Sequence, residues 1–220
     1  MTERLPLFPL GTVLFPGLVL PLHIFEDRYR LLVRDLLDLP EPRRFGVVSV
    51  EPGHRAGPGD DPRFAAVGCT AVLHTVTPRD DGRFDIVTVG GRRFRIRDVD
   101  GSAPYLRAEV DFPPDGPGAE PDAVARRVVA LFRRYQDRLA AFGGEPAAPF
   151  DPPGDPVRLS YLVAAAMVLD RDEKQRLLEA PDATARLRAE EDLLGRENRL
   201  LEALPTVPAT GFIDGGAHPN

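Results

Sequence analysis

Residues 5–24, LPLFPLGTVLFPGLVLPLHI, are almost uniformly apolar and contain no Lys, Arg, Asp or Glu. A membrane-spanning helix needs roughly 20 such residues, but Pro6, Pro9, Pro16 and Pro21 divide this run. Each would cost a helix interior about 3 kcal/mol, by removing a donor and colliding with the preceding turn. A signal peptide's apolar centre would be broken in the same way, and the polar, bulky HIFEDRYR follows where a cleavage site needs small residues. The chain is therefore expected to begin a soluble fold, neither inserted nor exported. The pattern predicts strand, turn, strand, with the prolines at strand starts, bulges or edges where no ladder donor is missed. Phe15-Pro16-Gly17-Leu18 supplies the turn, because Pro presets the first central φ and Gly accepts the positive φ that a type II turn requires next.

The period then changes. Phe25, Tyr29, Leu32, Val33, Leu36 and Leu37 recur at helical spacing while Glu26, Asp27, Arg28, Arg30 and Arg34 take the other side, which predicts an amphipathic helix stopped before Pro40. β-rich runs follow at 43–51, 64–77, 83–89, 92–99 and 105–112, with a Gly/Pro/Asp loop at 52–62 and a hairpin signal at Pro78-Arg79-Asp80-Asp81-Gly82. After a polar Pro/Gly linker at 113–121, Val124, Val128, Leu131, Tyr135, Leu139 and Phe142 line one face of a long helix ending at Gly143-Gly144. A Pro-rich loop at 145–156 leads to VRLSYLVAAAMVL, apolar on most sides and so the buried helix of a small bundle, with Asp155 as N-cap before Pro156. DEKQRLLEA forms a short helix. Asp182 starts the last helix, in which Leu187, Leu193, Leu194, Leu200, Leu201 and Leu204 recur. The expected layout is a β part at 1–112, a linker at 113–121, a helical part at 122–204 and a mobile tail at 205–220.

Composition narrows the chemistry. The formal net charge of -6 over 220 residues disfavours nucleic acid or an anionic membrane as main partner. Cys69 is the only cysteine, so an intrachain disulfide and a cysteine-based zinc site are excluded, and a reducing cytoplasm is expected. Lys174 is the only lysine and lies in Glu173-Lys174-Gln175, which excludes a G-x-x-x-x-G-K-[ST] phosphate loop. Charge flanks it on a helix expected to be exposed, so nothing should lower its pKa to make it a base. His23, His54, His74 and His218 have no partner at metal-ligand spacing, and no metal or cofactor is expected. Asp60-Asp61 and Asp80-Asp81 read as turn formers. Ser49, Ser102 and Ser160 lack a G-x-S-x-G context. Arg93, Arg95 and Arg97 share one strand face and Phe94 and Ile96 the other, the pattern of a half-buried strand. Asp98 and Asp100 would neutralise that patch.

Several motifs together resemble a known family. The run PLFPLGTVLFPGLVLPLHIFEDRYRLLV resembles the start of the LON substrate-binding domain, the amino-terminal domain of ATP-dependent Lon proteases that also occurs alone and within cereblon-type proteins. VGCTAVL, the DGRF hairpin, VGGRRFRI, LSYLVAAAMVL and EKQRLLE follow in that family's order, so the resemblance covers residues 5–204. It implies an α+β fold: a PUA-like six-stranded β-barrel with one helix, then a C-terminal helical-bundle subdomain. A full Lon protease continues into ATPase and protease domains, which are expected to be absent here, and no enzyme activity is expected. The implied function is a non-catalytic protein- or peptide-recognition module with an adaptor role in protein quality control. Its partners would be unfolded or peptide-like protein segments and a protease or other protein. The alternative is a PUA-like nucleic-acid binder using the Arg92–Arg97 strand. Binding is expected where the β part meets the helical part, with Arg93, Tyr105 and Phe112 as substrate-binding candidates. Pro9, Phe15, Pro16, Gly17, Pro21, Phe25, Glu26, Arg28, Tyr29, Gly91 and Phe94 read as architecture that sets a turn and anchors a helix.

Overall fold

The computed structural model describes residues 2–50, 63–143 and 150–203. Readings placed on residues 51–62, 144–149 and 204–220, among them His54, Asp60-Asp61, Leu204 and His218, lie outside the described residues, as does the side chain of Phe142.

Strands β1 (Glu3–Leu10) and β2 (Val19–Ile24) flank the expected turn, where Gly17 takes φ +82°. Pro6 and Pro9 sit inside β1, and its pairing explains why. The first half of β1 pairs antiparallel with β6 (Arg107–Asp111), and the second half pairs parallel with β3 (Arg44–Ser49). Leu7 N donates to Leu106 O at 2.8 Å. Backbone alternation therefore points Pro6 N toward β3 before that ladder begins and Pro9 N toward β6 after that ladder has ended. Neither proline removes a bond.

β4 (Val67–Pro78) and β5 (Phe84–Asp100) complete a six-stranded sheet in the order β2-β5-β4-β3-β1-β6, and β5 also pairs with β6. The runs at 83–89 and 92–99, separate in the sequence pattern, form one strand of 17 residues. Gly90 permits this. Its backbone exchanges hydrogen bonds with Gly17 N and Leu18 O, and a Cβ there would lie 2.1 Å from Phe15 O. Phe94, fully buried, packs where Gly46 and Gly68 leave room for its ring.

Helix α1 (Asp27–Leu37) buries Tyr29, Leu32, Val33 and Leu36 against the sheet, with Tyr29 stacked on Phe8 at 4.1 Å. Phe25 departs from the expected helical face and is 59% exposed. The reason is backbone conformation: Glu26 is the N-cap with extended φ/ψ of -72° and 135°, so Phe25 still obeys the two-residue period of β2.

The helical part comprises α2 (Pro121–Gly143), α3 (Pro156–Ala166), α4 (Arg171–Glu179) and α5 (Ala183–Ala203). Asp155 caps α3 by accepting from Val157 N at 3.1 Å, with Pro156 in the first turn, and Asp182 caps α5 by accepting from Ala185 N at 2.8 Å. Val128 and Phe132 of α2 pack on Leu159 and Val163 of α3 and on Leu187 and Leu194 of α5. Leu200, assigned to that apolar face by its spacing, is instead 54% exposed.

Sheet and helices meet over Phe15, Val67, Tyr161, Ala164, Leu177 and Leu178. A buried polar cluster crosses this seam. Arg93 donates Nη1 to Leu178 O at 2.9 Å and to Ala180 O, and Nη2 to Pro114 O and Pro181 O, both at 3.2 Å. The carbonyls of Leu178 and Ala180 lie at the C-terminal end of α4, where a cation is favoured. Asp115 accepts from Tyr161 Oη, and its Oδ1 lies 3.3 Å from Arg93 and 3.5 Å from Arg186. Residues 113–117, read as a linker, are thereby tied to the helices, and Pro117 O also accepts from Thr184 N at 3.0 Å.

Candidate functional site

β2 is an edge strand: β5 pairs with one side, and no strand pairs with the other among the described residues. Its even-numbered residues face inward, ending in buried Ile24, while Val19, Pro21, His23 and Phe25 are all exposed. Val19 is 63% and Phe25 59% exposed, and Val87, opposite Pro21 on β5, adds to the same apolar surface. Singly exposed apolar residues need no explanation, but Val19, Pro21 and Val87 lie on one face, and beyond His23, which pairs with Asp85, Phe25 on the same face borders a cleft, which points to binding.

A cleft of about 380 Å³ opens beside this ridge. Its walls are the end of β1 from Phe8 to Leu10 with Gly11 after it, the end of β2 with Phe25, the entry to α1 at Glu26, Arg28 and Tyr29, and Val50 and Arg171. The cleft exists because the chain leaves β2 in extended conformation before α1 begins. Arg28 Nε donates to Glu26 Oε2 at 2.9 Å, and its guanidinium lies 4.5 Å above the Tyr29 ring. Burial pushes the Tyr29 phenol up to about 12, so it stays neutral. On the outer face His23 Nδ1 lies 2.6 Å from Asp85 Oδ1; hydrogen bonds from His23 and then Arg79 hold that carboxyl below its usual range.

A second cleft of about 480 Å³ continues from the first, sharing Val50 and Arg171. It runs between the end of β3, residues 64–66 and the face of α4 carrying Asp172, Gln175 and Glu179. Gln175 Nε2 donates to Val67 O at 2.9 Å and holds α4 against the sheet. The two clefts form a trough from the outer face of β2 to the seam between sheet and helices. It can bury apolar side chains and offer a few charges. Among the described residues no group of three or more His, Cys, Asp or Glu is placed to hold a metal ion.

The sequence-based candidates are distributed differently. Arg93 is 4% exposed and committed to the seam. Its strand face is as expected, but α4 covers that face at Arg93 while Arg95 and Arg97 stay open. Tyr105 is buried with its hydroxyl donating to Asp35 Oδ2 at 2.6 Å. Phe112 is half-buried beneath the guanidinium of Arg92 at 4.7 Å. None of the three lines the trough. Five residues read as architecture do line it: Pro9, Phe25, Glu26, Arg28 and Tyr29. Pro16 and Gly17 border a smaller hollow of about 230 Å³ with Asp115 and Tyr161, while Phe15 is buried beside Tyr161. Gly91 packs against Thr70, and Pro21 lies on the open edge of β2.

Lys174 also requires correction. It is half-buried rather than exposed, burial holds its ammonium below the usual range, and Nζ donates to Ala165 O at 3.2 Å. Its helix packs against α3, which the flanking charges did not reveal. Val19, Val50 and Arg171 were missed altogether. The strand period through Val19, Pro21, His23 and Phe25 was the available signal for the ridge; Val50 and Arg171 had none, because tertiary contact alone brings them together.

The model of the ATP-dependent protease La (LON) substrate-binding domain matches residues 4–196. Lon protease 2 of Myxococcus xanthus is 28% identical over 204 residues, covering 91% of this chain and 24% of that protein. The Lon protease of Koribacter versatilis is 30% identical over 192 residues, covering 84% of this chain and 23% of that protein. The chain thus spans about a quarter of the length of the curated relatives it matches. Among solved structures, the Lon N-terminal domain protein from Xanthomonas campestris superposes with a TM-score of 0.61 at 24% identity, covering 92% of this chain and 99% of that one. The N-terminal domain of Mycobacterium avium complex Lon protease gives a TM-score of 0.58 at 22% identity, covering 88% and 98%. At these identities the superpositions speak to the fold, and the family match speaks to descent. The chain belongs to the LON substrate-binding domain family.

Proposed function

We propose that this chain is a non-catalytic recognition module that captures exposed apolar segments of unfolded or peptide-like protein, laying them in the trough between β2, α1 and α4. The observation that carries the reading is exposed Phe25 on the wall of the 380 Å³ cleft, at the end of an unpaired strand edge that also exposes Val19. Membership of a family named for substrate binding supports it, as do the names of the Lon proteases it matches. The β5–β6 pairing supports reading the sheet as the PUA-like barrel. Separate apolar clusters support a division into a β part, residues 1–112, and a helical part, residues 122–204, joined by residues 113–121. An adaptor role that delivers clients to a protease is the corresponding biological reading.

Apolar burial contributes about 25 cal/mol per Å², and the ordering entropy of an unfolded client subtracts from it, so modest affinity with weak salt dependence is expected. The nucleic-acid reading has less to stand on: Arg93 is buried, Arg97 pairs with Asp111, and Arg92 stacks on Phe112. A salt titration separates the two, using a reduced, permanently unfolded model protein and a single-stranded RNA side by side. Binding of the unfolded protein with a shallow slope supports recognition. Tight RNA binding that falls steeply with salt, without binding of the unfolded protein, overturns it.

A further inference from the structure

Arg171 occupies the one position shared by the two clefts from the helical side. It is the first residue of α4, directly after the N-cap Asp170, and it is half-buried. A cation there opposes the helix dipole, which favours negative charge at a helix N-terminus. Among the described residues Arg171 has no hydrogen bond, ion pair or ring contact. The neighbouring acids are otherwise placed: Asp170 accepts from Glu173 N at 2.7 Å, and Glu26 takes the Arg28 guanidinium. Among the described residues, nothing pairs with a guanidinium that the fold holds half-buried at the junction of the two clefts.

We infer that Arg171 selects, among apolar segments bound in the trough, those that present a carboxylate at the junction of the two clefts. This rests on the recognition reading above and adds a chemical requirement to it. The occupant is an extended apolar peptide bearing an Asp or Glu side chain, because Arg171 stands where the two clefts join and a segment running through both presents an internal residue there. The charge complementarity is local. Asp172 and Glu179 line the second cleft, so a carboxylate displaced from Arg171 along α4 meets like charge, whereas in the first cleft Glu26 is already paired with Arg28. A guanidinium suits the task because its planar fork accepts a carboxylate through two parallel hydrogen bonds.

The test uses the full chain and a fluorescein-labelled Val-Thr-Phe repeat peptide in four forms: C-terminally amidated, amidated with a central Glu, amidated with a central Gln, and with a free C-terminal carboxylate. The central-Glu form is expected to bind about tenfold more tightly than the amidated and Gln forms, and a preference for the free C-terminal carboxylate alone overturns the side-chain assignment. Arg171→Gln should erase that preference, so that the four forms bind it alike, and should unfold at the same or a higher temperature than the wild type. Arg171→Glu should transfer the preference to a peptide with a central Lys. Equal binding of all four forms to the wild type, or a preference that survives in Arg171→Gln, overturns the inference while leaving apolar recognition standing. Failure of every form to bind the wild type overturns apolar recognition as well.

Discussion

Arg93→Met removes the guanidinium that joins the sheet to α4 while keeping a similar aliphatic stem. The side chain is 4% exposed and donates to the carbonyls of Leu178, Ala180, Pro114 and Pro181, with Asp115 at 3.3 Å. Hydrogen bonds to a charged group contribute about 1.5–3 kcal/mol each, but the desolvation cost of burying the guanidinium offsets several kcal/mol of that gross gain. The relevant cost is that of the buried carbonyls left without a donor, about 1–3 kcal/mol each, and not of Asp115, whose side chain is 26% exposed. Here Asp115 would be left with Arg186 at 3.5 Å, and the last carbonyls of α4 would lose their donor. A loss of about 3–5 kcal/mol is thus expected, a large fraction of a typical 5–15 kcal/mol total. With a urea m-value of about 2–3 kcal/mol per M, the unfolding midpoint should fall by about 1–2.5 M. Arg93→Lys should recover only part of this, since an ammonium cannot reach four carbonyls in two directions. A midpoint shift for Arg93→Met smaller than about 0.3 M would show that the cluster does not hold the seam together.

Three further outcomes follow from the packing. Burial holds the Glu190 carboxyl well above its usual range, so the stability it contributes is complete below about pH 4.3 and is lost as pH rises toward the folded value; Glu190→Gln should therefore gain stability relative to wild type in urea melts at pH 8 compared with pH 5, and an identical difference at both would refute the sign. Gly90→Ala places a Cβ 2.1 Å from Phe15 O, a backbone atom that cannot move aside cheaply, so thermal unfolding should drop by more than about 5 °C, and an unchanged melting temperature would contradict the close approach. The Cys69 thiol is fully buried and burial pushes it far above its usual range, so a thiol reagent should label it only as fast as the chain unfolds, whereas rapid labelling of folded protein would contradict its placement.

The sequence revealed most where short-range chemistry decides. Asp155-Pro156 and Asp182 could be read as helix starts because a cap acts within three residues, and Pro16-Gly17 as a turn because φ restrictions are local. The apolar spacing of Leu32, Val33 and Leu36 likewise identified the buried face of α1. Reading failed where a distant element decides. Arg93 looked available because nothing in its strand shows that α4 covers it. Lys174 looked exposed because its neighbours in sequence are charged, yet its helix packs on α3. Phe25 fits both a helical and a strand period, and only the extended backbone of Glu26 settles which one it follows. The trough itself was anticipated only as a seam between two parts, since residues from β1, β2, β3 and α4 build it.

The central claim is that the ridge of Val19 and Phe25 captures apolar protein. Phe25 is 59% exposed, so a bound client could cover about 100 Å² more of it, contributing about 2.5 kcal/mol at most. The most direct measurement is a fluorescence-anisotropy titration of a reduced, unfolded model protein with wild type and with the Val19→Asp/Phe25→Asp variant, after both are shown to unfold at the same temperature. The recognition account predicts at least tenfold weaker binding by the variant, whereas equal affinity would contradict it.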